Sequence, residues 1–119
     1  MTLLVETNVP ESGRLSLHIH ADVQINISAR AAQERATKFA HQKISSQMHG
    51  EMPILVLGDH AYWQVPIQLT FPSIGNAGTI GTLQVDVETG ELNDSPALIE
   101  ELEKNAEHLA ARFAFTAAR

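Results

Sequence analysis

With 119 residues, 44% of them hydrophobic and 18% charged, the chain has the size and composition for one core rather than two, so residues 1–119 are expected to form a single domain. A net charge of −6 argues against a general nucleic-acid binder, which needs a basic face to displace phosphate counterions. Cysteine is absent, which excludes disulfides and thiolate chemistry. No basic start leads into an apolar run and nowhere do 18 or so apolar residues run together, so neither export nor a membrane span is expected and the cytosol is the default compartment.

Residues 1–14 carry little pattern, and ETNVPESGR (6–14) is the loosest part. Residues 15–28 (LSLHIHADVQINIS) then alternate, with Leu15, Leu17, Ile19, Ala21, Val23, Ile25 and Ile27 on one side and Ser16, His18, His20, Asp22, Gln24, Asn26 and Ser28 on the other. That is the period of a half-buried strand. Ser28 is a candidate N-cap. Behind it Ala32, Ala36, Phe39, Ala40 and Ile44 recur at three and four, which predicts a helix lying close to its neighbours and ending before Gly50.

PILVL (53–57) reads as a short strand and GDH (58–60) as a turn. YWQVPIQLTF (62–71) alternates again, with Trp63, Val65, Ile67, Leu69 and Phe71 inward and Tyr62, Gln64, Pro66, Gln68 and Thr70 outward. Pro66 inside a strand predicts either a free edge over that half or a bend at Val65-Pro66. PSIGNAG (72–78) is the next loop, and TIGTLQVDVETG (79–90) a strand with Leu83, Val85 and Val87 inward. Ser95-Pro96 opens a last helix whose apolar stripe is Leu98, Leu102, Ala106, Leu109 and Phe113. The expected architecture is α+β, a single antiparallel sheet of about four strands in the order β-α-β-β-β-α, with both helices on one face and a polar open face.

The capped small-residue helix ISARAAQERATKFA, the strand WQVPIQL and the turn-closing VDVETGEL together resemble PepSY and PepSY-like domains over roughly residues 28–92. The resemblance implies a small α+β module that inhibits, chaperones or binds another protein and is not itself an enzyme. It assigns no site residues.

His18, His20 and Asp22 would project from one side of the first strand, about 7 Å apart per step, and imidazole with carboxylate suits zinc. The competing reading is the solvated side of an amphipathic strand. Gly75, Gly78 and Gly81 could cradle phosphate only if a helix followed, whereas the pattern predicts a strand. His60 beside Asp59 and His108 beside Glu107 do not face each other on regular elements. Neither Gly-x-Ser-x-Gly nor His-Glu-x-x-His occurs, so no enzyme and no cofactor are expected.

Charge is unevenly placed. Arg30, Arg35, Lys38 and Lys43 make the first helix basic, and Glu100, Glu101, Glu103 and Glu107 make the last one acidic. The two sets are expected to offset one another within the domain, in preference to the basic helix meeting nucleic acid. On the open sheet face the interface candidates are His18, His20, Gln24, Tyr62, Gln64, Gln68 and Gln84, with Asn26, Thr70 and Thr82 beside them. Such a surface, poor in charge and rich in Tyr, Gln and His, suits association. The reading drawn from the sequence is a non-enzymatic protein-interaction module, an inhibitor or antitoxin-like accessory protein or a homodimer. The alternative is a small-molecule or metal-binding protein using His18 and His20.

Overall fold

A computed structural model describes residues 12–14, 20, 22–72 and 75–117, the last five as backbone only. Its elements in chain order are α1 (Ala29–Lys43), β1 (Met48–Gly50), β2 (Ile54–Leu57), β3 (Ala61–Phe71), β4 (Gly75–Asp86) and α2 (Pro96–Ala117). The arrangement is α+β, two helices on a single antiparallel sheet of four strands.

The sheet has three tracks. β3 runs along the centre with β4 on one side, while β1 and β2 share the other side end to end, β1 pairing with Ile67–Leu69 and β2 with Ala61–Gln64. Pro66 therefore sits in the central strand and not on a free edge. Its carbonyl accepts from Glu51 N at 2.8 Å. The amide nitrogen of the same residue faces the same side of the strand, so the missing donor falls where the edge track breaks between Gly50 and Ile54. Pairing with β4 is regular across Val65-Pro66, and its irregularities come later, at Ile67/Gln68 and Leu69/Thr70, where the extra residues Ile80 and Ala77 belong to β4.

Both helices cover the face that carries Val65, Ile67, Leu69, Leu83 and Val85, and one core joins these to Ala32, Ala36 and Ala40 of α1 and Leu102 of α2. The three alanines are fully buried. Their small side chains bring α1 so near β1 that a Cβ on Gly50 would stand 3.2 Å from both the Gln33 carbonyl oxygen and Thr37 Oγ1. Ser28 caps α1, its hydroxyl accepting from Ala31 N at 3.0 Å. Ser95 starts α2, accepting from Leu98 N at 3.3 Å.

Three expectations fail. In the described part of 15–28, residues 22–27 form no strand. They cross the end of the sheet instead, Asn26 and Ile27 N–H both donating to the Val87 carbonyl at 2.9 Å and Ile27 O accepting from Trp63 Nε1 at 2.7 Å. The fourth strand is β1, from residues that were read as the tail of the first helix. That helix stops at Lys43, with Ile44 and Ser45 N both bonded to Ala40 O. Finally, Gly75 and Gly78 lie within β4 rather than in a loop, where register shifts open the ladder and glycine accepts positive φ.

Candidate functional site: the open sheet face

Antiparallel pairing aligns the outward side chains into rows across the three tracks. One row is Ile54, Gln64 and Gln84; the next is Val56, Tyr62 and Asp86; toward the other end lies His49, Gln68 and Thr79. Pro66 stands opposite Thr82 between them. The sequence-derived candidates Tyr62, Gln64, Gln68 and Gln84 are thus brought together on one surface. His20 and Gln24 are not part of it, since neither belongs to a strand; Gln24 donates to Asn26 Oδ1 at 3.1 Å instead. His18 falls outside the described residues.

At the His49–Gln68 end of this face the polar groups hold one another. Gln68 donates to Thr79 Oγ1 at 3.1 Å and accepts from Asn76 Nδ2. His49 Nδ1 lies 3.3 Å from Thr70 Oγ1, and its Nε2 lies 2.9 Å from Glu51 Oε1. Such cross-linked side chains are held in one arrangement, with less rotamer freedom than isolated surface groups. The face also has an apolar part. Ile54 is 51% exposed and Met52, just before it, 70%, while Val56 is fully buried although it stands beside Tyr62 on the side away from the helices.

Sequence reasoning missed His49, Glu51 and Ile54 as members of this face. His49 falls between the helix pattern and the Gly50 stop, where nothing alternates, and the short apolar run of β2 carries no alternation to show that Ile54 and Val56 point outward.

At one end of the face, hollows of about 380 and 370 Å³ flank the turn Gly58-Asp59-His60, and Asp86 lines both. The Asp86 carboxylate accepts from Glu88 N at 2.8 Å and Thr89 N at 3.0 Å. The backbone N–H of Thr89, then that of Glu88, hold it below the usual carboxylate pKa, against slight desolvation and with small help from the Thr89 hydroxyl and His60. These bonds build the turn after β4, which returns the chain so that Leu92 bridges Val85.

His20 Nε2 lies 3.2 Å from Asp22 Oδ2, with both side chains about nine-tenths exposed. Among the described residues no three His, Asp or Glu side chains converge on a point where a metal ion would sit. None of the described helices is long and apolar enough to cross a membrane. No family model, curated protein or solved structure matches the chain.

Proposed function

We propose that the chain is a non-enzymatic protein-interaction module of the cytosol, an accessory or inhibitory protein of the PepSY-like kind, whose open sheet face takes another protein. The observation that carries this reading is the cross-strand row Ile54, Gln64 and Gln84 beside Tyr62. Half-exposed aliphatic surface lies next to uncharged hydrogen-bonding side chains, with the carboxylates of Asp86 and Glu51 toward its margins. Water-facing sheets ordinarily carry more Lys and Glu, whereas interface centres are depleted in charge and enriched in Tyr.

The test is recovery of partners from the source cells on the tagged chain, with the Gln64→Arg/Gln68→Glu variant run in parallel. Both positions point away from the core, so circular dichroism should be unchanged. A stoichiometric protein that the variant loses supports the open face as the docking surface. The same proteins recovered with both chains would rule that face out.

A further inference from the structure

The edge track of the sheet is closed at β1 and open at β2. At Gly50 the outward N–H and carbonyl are taken by Thr37 and Gln33 of α1. β2 has no such cover. Asp86 N donates to Glu91 O and Gln84 O accepts from Asn93 N, so residues 84 and 86 turn their backbone groups away from β3 and Val85 turns its own toward Trp63. On the other side of β3 the bonded residues are therefore Tyr62 and Gln64, which face Val56 and Ile54. The N–H and carbonyl of Leu55 point away from β3 in the plane of the sheet, and none of the described residues bonds to them. Apolar side chains cluster at the same edge. Met52 is 70% exposed, Ile54 51% and Leu55 36%, three of the five large apolar side chains exposed among the described residues. No charged residue occurs from Met52 to Leu57, whereas natural edges are usually blunted by a lysine, a bulge or a covering element. The helix layer differs in kind, for it is charged, with Arg30 paired to Glu34 at 3.6 Å and Lys104 to Glu100 at 3.9 Å, each within its own helix.

We infer that β2 is the self-association edge of the chain, pairing antiparallel with β2 of a second copy across a two-fold axis at Leu55. An open strand edge is complementary to itself, because antiparallel reversal brings each outward donor opposite an acceptor. Leu55 of each copy exchanges N–H and carbonyl bonds with Leu55 of the other, and Leu57 N–H donates to the Pro53 carbonyl on either side. Pro53 has no N–H to offer and ends the ladder. On the helix side Leu55 then lies against its own copy, and on the open face Ile54 lies beside Val56 of the second copy. The exposed apolar groups are covered by the same step that satisfies the backbone. A loose peptide would have to be ordered residue by residue to occupy so short an edge, and so few bonds do not offset that loss. β2 of a second copy is already extended along β3 and gives up no such freedom. About 13 Å of edge, roughly 10 Å deep, falls well below the ~800 Å² per partner of a stable interface, so the dimer is weak and concentration-dependent. Each β2 is used once, and assembly stops at two subunits. The pairing uses the edge of the sheet and stands apart from the partner proposed for its open face.

The experiment is sedimentation of the intact chain over about 0.01 to 1 mM, with amide hydrogen exchange followed by NMR at the same concentrations. The Leu55 amide should exchange freely at the dilute end and become protected as the dimer forms, while the Ile54 and Val56 amides, bonded to β3, are protected throughout. Leu55→Lys sets two like charges against each other at the axis and should lower self-affinity at least about tenfold. Leu55 stands outside the core cluster, so circular dichroism of this variant should be unchanged. Added salt should strengthen the wild-type dimer, since the joined strands carry no charge and two chains of net charge −6 repel one another. A wild type that stays monomeric, a dimer whose Leu55 amide still exchanges freely, a dimer untouched by Leu55→Lys, or one that salt dissolves would each overturn the inference.

Discussion

Asp86 shows how one side chain can shape a local structure and leave a signature in pH. Its carboxylate gathers the Glu88 and Thr89 amides, and its own carbonyl accepts from Gly90 N at 2.9 Å, where Gly90 takes φ of 77°. Because these bonds favour the ionised form, the folded-state pKa lies below the unfolded value of 3.8. The resulting stabilisation is complete above that value and is lost as pH falls through the folded pKa. Asp86→Asn keeps an acceptor oxygen but no charge. The expected result is a variant less stable than wild type by a constant margin near neutral pH, a margin that narrows as pH falls below 3.8 toward the lowered folded-state pKa. Thermal melts across that range decide it, and a margin independent of pH would mean the charge plays no part in the turn.

Among the elements, the edge track is protected by chemistry that differs along its length. At β1 the Gly50 N–H donates to Thr37 Oγ1 at 2.8 Å and the Gly50 carbonyl accepts from Gln33 Nε2 at 2.9 Å. Helix α1 thereby occupies groups that an exposed edge would offer to another strand. Gly50 is buried, so removing the acceptor strands its N–H away from water. Thr37→Val, nearly isosteric, is expected to cost about 1–3 kcal/mol in urea unfolding, whereas a change under about 0.5 kcal/mol would show that water replaces the hydroxyl. Along the opposite edge, at β4, Asn105 of α2 donates to the Ile80 carbonyl at 2.8 Å. Ile80 is the residue skipped in the register between Gly81 and Thr79. The helix thus satisfies a group that the irregularity releases.

For the molecule as a whole, one core connects every layer. Leu102 is 1% exposed and is the one fully buried side chain among the described residues of α2. It shares its cluster with the α1 alanines and with both long strands. Leu102→Ala should destabilise the chain by about 2–5 kcal/mol, since the sheet cannot follow the retreating side chain. If α2 is integral to the domain, helix content by circular dichroism and the fluorescence of Trp63, the sole tryptophan, will shift together in this variant. Separate transitions would mean that α2 docks on a body that is stable without it.

The amino-acid sequence by itself determined the periodic elements. The outward residues Tyr62, Gln64 and Gln68 and the caps Ser28 and Ser95 were legible because alternation and capping are properties of neighbours in the chain. Register and strand order are not, and they decided the rest. Residues 22–27 alternate as a strand does yet meet no strand partner, because Val87 O and Trp63 Nε1 take their backbone groups. Pro66 predicts a free edge or a bend because nothing local says that the neighbouring track breaks beside it. Which of His20, Gln24 and His49 reach the open face, and whether opposite charges on two helices meet, depend on contacts between residues far apart in the chain, and only tertiary packing fixes those.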